Sequence, residues 1–227
     1  MKKPFIVMIL LSLTLSLFVF SGCSDKKESA KTVPLQSLRF DLCEGEDGKY
    51  YRVSQKDFNI SGRLVIPTRY EGLPVKEVAF FNYCKDITEL VIPSSVEYID
   101  FIDLASVLQG TFSNGIESIS VDKNNRVYES VGNCIIEKST KTLILGCNGA
   151  KIPADGSVLK IGYNSFYGCE KIKEIKIPRF VTEIGITAFE HCAEDFTIYC
   201  EIEESEKPSG WCENWDCGYP VVWGYKG

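Results

Sequence analysis

Hydrophobic residues recur along this chain in a rhythm that fits neither one helix nor one long strand. Between residues 84 and 99 the apolar positions that recur in later copies are Ile87, Leu90, Ile92, Val96 and Ile99. The alternation around Ile92 is typical of a short strand with one face turned inward, and Pro93 follows it directly. A proline, which has no N–H group, fits where a strand ends. The pattern therefore predicts short strands that are closed by tight turns.

The same spacing returns between residues 169 and 184, where the matching apolar positions are Ile172, Ile175, Ile177, Val181 and Ile184. Each copy begins on a cysteine, Cys84 or Cys169, and each carries a proline directly after its strand. Partial copies follow, and the interval is 23 residues from Cys169 to Cys192. A period in the twenties predicts a solenoid, in which each coil buries its apolar face only by stacking on its neighbours.

The run "IKIPRFVTEIGITAFEHC" resembles the repeat of the BspA-like leucine-rich-repeat family of bacterial surface proteins. The resemblance covers about residues 61–200, with an interruption, and the closing "PSGWCENWDCGYPVVWGY" resembles the ending of some family members. It implies a mostly β fold: a right-handed leucine-rich-repeat solenoid with short parallel strands, a β-hairpin cap and little helix. Adhesion, or another form of protein recognition, is the function that the resemblance implies.

Two stretches depart from the repeat, and both predict β-hairpins. "LRFDLCEGEDGKYYRV" places two apolar runs around a polar turn, and we expect it to cap the open first coil. "NCIIEKSTKTLILGC" has the same pattern inside the solenoid. The predicted organisation is a signal peptide at 1–22, a flexible tether at 23–36, a capping hairpin at 37–60, a solenoid at 61–200 with an inserted hairpin near 134–147, and an aromatic cap at 201–227.

The beginning of the chain has the pattern of an export signal rather than of a folded element. Two lysines precede residues 5–20, which carry no charge and are fewer than the roughly 20 that a helix needs to cross a bilayer. The "FSGC" that follows resembles the lipobox of bacterial lipoproteins, which implies a lipid on Cys23. We therefore expect export and lipid anchoring to a bacterial membrane at the cell surface, with an uncleaved membrane anchor as the alternative.

The net charge and the number of cysteines limit which partners the protein can bind and how many disulfides it can form. The net charge is −6, and it becomes −8 once Lys2 and Lys3 leave with the signal, which argues against nucleic acid as a partner. If Cys23 carries a lipid, nine of the ten cysteines remain, so they cannot all pair. Most lie within apolar patterns and are expected to be buried thiols, although Cys212 and Cys217 could close a small disulfide loop.

Catalytic and metal-binding motifs are weak in this sequence. The one histidine, His191, precedes Cys192, but adjacent side chains usually point apart and Cys192 occupies a core position of the repeat. The cysteines lack a C-x₂-C pair, and the acidic clusters near Glu44 and Glu201 lack the spacing of a calcium loop. We therefore expect no enzyme activity, no metal and no cofactor.

Two surfaces are candidates for binding. The strand positions that alternate with the inward residues should face outward on the concave side of the solenoid; they are Glu89, Val91, Ser118, Ser120, Glu174, Lys176, Thr197 and Tyr199. The C-terminal tryptophans, Trp211, Trp215 and Trp223, either cap the last coil or stack on a sugar. The expected partner is an extracellular protein or matrix ligand on the strand face, with a glycan at the tryptophans as the alternative.

Overall fold

The computed structural model describes residues 30–56, 59–79, 85–100 and 114–227. This part of the chain is a β-solenoid: its short strands pair mostly in parallel between successive coils, and it contains no α-helix. The mostly β repeat fold predicted from the sequence is thereby confirmed. The signal segment, Cys23 and Cys84 lie outside the described residues.

The strands are short because a turn follows each one. In chain order they are β1 (Leu38–Gly45), β2 (Gly48–Gln55), β3 (Gly62–Val65), β4 (Arg69–Tyr70), β5 (Leu73–Ala79), β6 (Ile87–Ile92), β7 (Tyr98–Asp100), β8 (Ser118–Val121), β9 (Tyr128–Val131), β10 (Cys134–Glu137), β11 (Thr142–Leu145), β12 (Lys160–Ile161), β13 (Glu174–Ile177), β14 (Glu183–Ile184), β15 (Thr197–Cys200), β16 (Gly210–Trp211) and β17 (Val221–Val222). Two 3₁₀ turns, Leu35–Ser37 and Glu204–Glu206, complete the regular structure of the described ranges.

Two three-stranded parallel sheets carry the repeat strands. The N-terminal repeat sheet has the order β3-β6-β8, and the C-terminal repeat sheet has the order β13-β15-β17. Within the latter, Ile175 pairs with Ile198 in register, and both side chains are buried. Alternate side chains therefore point inward, as the spacing of the sequence predicted.

Both predicted hairpins are present. β1 and β2 pair over their full length, from Leu38 with Gln55 to Gly45 with Gly48, and β2 then pairs in parallel with β5. β10 and β11 form the inserted hairpin, and β9, which the sequence did not indicate, adds a third antiparallel strand. β11 continues into the parallel strands β12, β14 and β16, so backbone pairing joins the insertion to the solenoid.

Aromatic rings and thiols fill the interior of successive coils. Phe166 and Phe189 stack with their ring centroids 5.4 Å apart. The fully or nearly buried free thiols are Cys134, Cys147, Cys169, Cys192 and Cys200. Burial raises the pKa of Cys147 to about 11 and the pKa values of Cys192 and Cys200 to about 12. These thiols therefore stay protonated at neutral pH and act as small apolar groups.

The C-terminal segment adds strands as well as covering the preceding coil. β16 pairs in parallel with β14, and β17 with β15, so strand pairing continues past the predicted end of the solenoid. Trp211 pairs with Ile184 of the preceding coil, and its indole Nε1 donates a hydrogen bond to the Val181 carbonyl (3.2 Å). Cys212 and Cys217 are free thiols here rather than a disulfide.

Part of the segment that the sequence predicts to be a flexible tether is packed against the solenoid. Val33 N–H donates to the Arg63 carbonyl (2.8 Å), and Arg63 N–H donates to the Lys31 carbonyl (2.9 Å). The Val33 side chain is buried. Residues 31–33, here called the strap, therefore cover the outer edge of β3. Gly62 allows this approach, because a Cβ there would lie 2.1 Å from the Lys31 carbonyl oxygen.

Candidate recognition surface

The predicted strand-face residues all lie at outward positions, where their side chains are exposed or half-buried. Cross-strand register sets them opposite one another in pairs. The pairs are Glu89 with Ser118, Val91 with Ser120, Glu174 with Thr197, and Lys176 with Tyr199. Pairing of this kind brings side chains from different coils within reach of one ligand.

The predicted strand-face residues fall on two sheets, with four residues on each. β8 pairs with β6 along one edge, and along its other edge its N–H groups donate to side chains of β9 and of the turn that follows β9. Ser130 Oγ accepts a hydrogen bond from Val121 N–H (2.9 Å), and Asn133 Oδ1 accepts one from Ile119 N–H (3.5 Å). The sequence predicted these positions on the concave side of an interrupted solenoid, and the structure presents them on two separate sheets.

The N-terminal repeat sheet presents aliphatic and small polar side chains and an ion pair. Arg63 Nε lies 2.9 Å from Glu89 Oε1. Val65 and Val91 pair in register beside them and are half-buried. On β8, Ser118 lies beside Glu89 and Ser120 lies beside Val91. This half of the predicted surface has no aromatic side chain at its outward strand positions.

The C-terminal repeat sheet carries a mixed cluster, here called the tyrosine patch: Lys176, Tyr199, Val222 and Tyr225. Tyr199 and Tyr225 meet edge to face with ring centroids 5.1 Å apart. Lys176 Nζ lies 4.9 Å from the centroid of the Tyr225 ring, within the range of a cation–π contact. Val222 pairs with Tyr199 in register and is 41% exposed. The patch thus joins cationic, aromatic and aliphatic groups on adjacent strands.

Two members of the patch, Val222 and Tyr225, were missed from the sequence because the terminal aromatics were assigned to a cap. The two β-branched residues within "YPVVWGY" were the available indication, since a short apolar run of this kind favours a further strand. A hydrogen bond from Tyr225 N–H to the Cys200 carbonyl (2.9 Å) holds this segment beside the end of β15. Long-range pairing therefore brings both side chains to the strand face.

The neighbours of Lys176 stabilise its charged form further. The hydrogen bond with Tyr225 raises the pKa of Lys176 above its ordinary value, and the charge of Glu174 on the same strand acts in the same direction. A raised pKa favours the protonated form of a lysine. The patch therefore contains a permanent cation at physiological pH.

The tryptophans proposed as an alternative sugar site form a packed cluster. Trp211 and Trp215 are each 4% exposed, with ring centroids 4.5 Å apart. Trp223 is half-buried, and its centroid lies 6.0 Å from that of Trp211. Because stacking on a sugar needs an open ring face, the burial of Trp211 and Trp215 favours a capping role for these two rings.

The residues considered for catalysis or metal binding are not assembled into a site. His191 is exposed and packs edge to face against Tyr167 (4.9 Å), whereas the Cys192 thiol donates to the Phe166 carbonyl (3.4 Å). Within the described ranges, no three His, Cys, Asp or Glu side chains are grouped to hold a metal ion. In that same part of the chain, no helix has the length and apolar character needed to cross a membrane.

These features define a class, namely β-solenoid repeat proteins with an exposed, registered strand surface. Residues 141–207 match the family model of the BspA type leucine rich repeat region, in six copies. Residues 141–207 therefore carry BspA-type leucine-rich repeats, which confirms the resemblance seen in the sequence over that part of the chain. No curated protein matches the sequence.

Several solved structures are similar to this chain. A leucine-rich repeat protein from Eubacterium ventriosum is 21% identical and has a TM-score of 0.44, covering 63% of this chain and 37% of its own. The T. pallidum leucine rich repeat protein is 22% identical, with a TM-score of 0.38 and coverage of 76% and 74%. A leucine rich cell surface protein from Faecalibacterium prausnitzii is 20% identical, with a TM-score of 0.39 and coverage of 88% and 44%. This chain thus spans less than half of the first and the third.

Proposed function

We propose that this protein is a bacterial surface protein that recognises another protein through its C-terminal repeat sheet, without catalysis. The observation that carries the proposal is the tyrosine patch, in which two tyrosines, a valine and a lysine share one registered surface. Tyrosine is enriched among the residues that dominate binding energy at protein interfaces. Repeat solenoids commonly bind their partners on extended concave surfaces.

The position of the patch on a paired sheet supports the same proposal. Tyr199 lies on β15, which is flanked by β13 on one side and β17 on the other. Its neighbours along the strand, Ile198 and Cys200, are fully buried. A side chain on such a fixed backbone loses little further freedom on binding, so less of the interaction energy is spent on ordering.

The test is selection of random linear peptides on phage against the folded protein, followed by affinity measurements on variants. Tyr199→Ala should weaken the selected peptides by roughly thirtyfold if it removes a hot spot. Glu174→Lys should also weaken them, and neither change should shift the melting temperature much, because both side chains lie outside the core. Tyr98→Ala is the matched control, since Tyr98 is 54% exposed on β7, away from the patch.

Two outcomes would replace this proposal. Peptides that bind Tyr199→Ala and Glu174→Lys as tightly as the wild type would assign recognition to another surface. A glycan array gives the second outcome: binding that is lost in a still-folded Trp215→Ala protein, and kept in both strand-face variants, would favour the tryptophan cluster as a sugar site.

We also propose that Cys23 carries the lipid that holds the protein at a bacterial membrane. The proposal rests on "FSGC", which follows an uncharged apolar run; several acyl chains hold a protein on a bilayer stably, whereas one does not. Expression in a bacterium fed a clickable fatty acid should label the wild type, and Cys23→Ser should abolish the label. Cys43→Ser is the control, and a label that survives Cys23→Ser would refute the anchor.

A further inference from the structure

The Tyr225 ring already holds a cation in this structure. Lys176 Nζ stands 4.9 Å from the ring centroid, and Tyr199 packs against the same ring. The attraction arises from the negative potential on the face of an aromatic ring. A lysine or an arginine of another molecule would be attracted to the same face. The tyrosine patch is therefore suited to a positive group, and Lys176 occupies that place from within the chain.

An acidic turn borders the patch. Gly224, which directly precedes Tyr225, lies against the Glu203 carboxylate, since a Cβ on Gly224 would be 2.4 Å from Glu203 Oε1. The exposed carboxylates of this turn are Glu203, Glu204 and Glu206. Lys207 and Lys226 are near in sequence, and the carboxylates still outnumber these two ammonium groups. The segment that carries the ring therefore lies beside the Glu203 carboxylate.

We propose that the tyrosine patch binds a basic segment of its partner, whose arginine or lysine side chain displaces Lys176 and packs on the Tyr225 ring. This inference rests on the proposed function and adds the chemistry of the ligand to it. A net charge of −6 attracts a basic partner at long range. At short range, Glu174, whose charge acts on Lys176, and Glu203, which lies beside Gly224, supply carboxylates close to the patch.

The probes are two fluorescein-labelled Gly-Ser peptides that carry arginine, or its neutral isostere citrulline, at the same positions. Fluorescence anisotropy should show that the arginine peptide binds about tenfold more tightly or better. Tyr225→Leu should remove most of this preference, whereas Tyr225→Phe, which keeps the ring, should retain it. Tyr98→Leu removes an exposed tyrosine outside the patch and should bind as the wild type does.

Lys176→Met distinguishes a competing cation from a purely structural lysine, because only removal of a competitor should strengthen binding. Removing the internal cation frees the ring, so affinity for the arginine peptide should rise by about two- to fivefold. Lys173→Met makes the same change in charge away from the ring, where Lys173 Nζ pairs with Asp195 (2.7 Å). Because solvent and salt screen that site, Lys173→Met should change the affinity by less than about twofold.

Equal binding of the arginine and citrulline peptides would overturn the inference, and so would weaker arginine binding in Lys176→Met. Random peptides that depend on Tyr199 but are not enriched in arginine or lysine would also overturn it, while leaving the proposed protein recognition intact. If the wild type selects no peptide that depends on Tyr199, the proposed function fails, and the arginine–citrulline comparison still decides the inference separately.

Discussion

Inward side chains on the strands set how closely neighbouring coils can stack. Ile175 is 2% exposed and pairs in register with Ile198, which is fully buried. Lys173, just before the same strand, is exposed and pairs across the surface with Asp195. Position relative to the alternation, rather than the hydrophobicity of the segment as a whole, therefore decides what a substitution costs.

Replacing Ile175 by alanine should lower the free energy of unfolding by about 2–5 kcal/mol, because buried methyl groups are lost and a cavity remains. Lys173→Ala should lower it by less than about 0.5 kcal/mol, since an exposed ion pair contributes little. Urea unfolding followed by circular dichroism measures both. Equal losses at the two positions would refute the strand register.

Asn125 is a buried polar residue that the hydrophobic pattern did not indicate. It is 1% exposed; its side-chain amide donates to the carbonyls of Pro93 and Val96, and its side-chain oxygen accepts from the N–H groups of Val127 and Tyr128. With its hydrogen-bonding groups satisfied, the burial carries little penalty. The sequence "DKNNR" indicates surface, and only the neighbouring coil provides the carbonyls that Asn125 bonds.

At the scale of elements, the packing of the strap on β3 depends on a glycine. Gly62 has a φ of 91°, and its missing Cβ leaves room for the Lys31 carbonyl. Gly72, in the turn between β4 and β5, has a φ of 82°, but a Cβ there would meet no atom within 4 Å. The two glycines thus share a left-handed backbone and differ in whether another segment approaches them.

Gly62→Ala should detach the strap as well as strain the backbone, whereas Gly72→Ala should only strain it. The strain is about 1–2 kcal/mol at either position, and loss of the strap adds to it at Gly62. Hydrogen–deuterium exchange at the Val33 amide, which donates to Arg63, should accelerate in Gly62→Ala alone. Slow exchange at Val33 in that variant would show that the strap tolerates a side chain here.

The last coil depends on a buried tryptophan. The Trp215 ring packs 4.5 Å from that of Trp211 and 6.5 Å from that of Phe189, centroid to centroid. Trp215→Ala should lower the free energy of unfolding by about 3–5 kcal/mol, and should leave peptide affinity intact in protein that remains folded. Trp223→Ala should cost less, because Trp223 is only half-buried. Thermal unfolding and anisotropy on the same samples check both; unchanged stability with lost binding would contradict the capping role.

At the scale of the whole molecule, the buried thiols couple stability to pH. Burial raises the pKa of Cys147 to about 11 and the pKa values of Cys192 and Cys200 to about 12, whereas an unfolded thiol has a pKa near 8.5. The unfolded chain therefore releases protons at a lower pH than the folded chain does. The resulting stability is fully present below about pH 8.5 and is lost as the pH rises toward the folded values.

Above about pH 8.5, each such thiol should reduce the free energy of unfolding with a slope that approaches about 1.4 kcal/mol per pH unit near pH 10. This window lies below the ordinary pKa of tyrosine, so thiols dominate the change. Urea midpoints measured across the window give the slope, and Cys192→Ala should make it shallower. A slope that Cys192→Ala leaves unaltered would show that this thiol is not buried in its protonated form.

Local spacing by itself determined the repeat architecture of this protein. The alternation around Ile92 and Ile175, and the proline after each strand, reflect the geometry of adjacent residues, which needs no knowledge of distant contacts. The same is true of the hairpins at 37–60 and 134–147, where two apolar runs flank a polar turn. These features were therefore predictable, and the outward orientation of Glu174 and its counterparts followed from them.

Only the tertiary structure decided that the outward strand residues lie on two sheets, and that residues from the C-terminal segment join one of them. Asn133 accepts a hydrogen bond at the free edge of β8, Tyr225 contacts Lys176 in the last coil, and Val33 covers the edge of β3. Each of these contacts joins segments that are distant in sequence. Their formation depends on how many coils intervene and how each one stacks, and no local pattern encodes that.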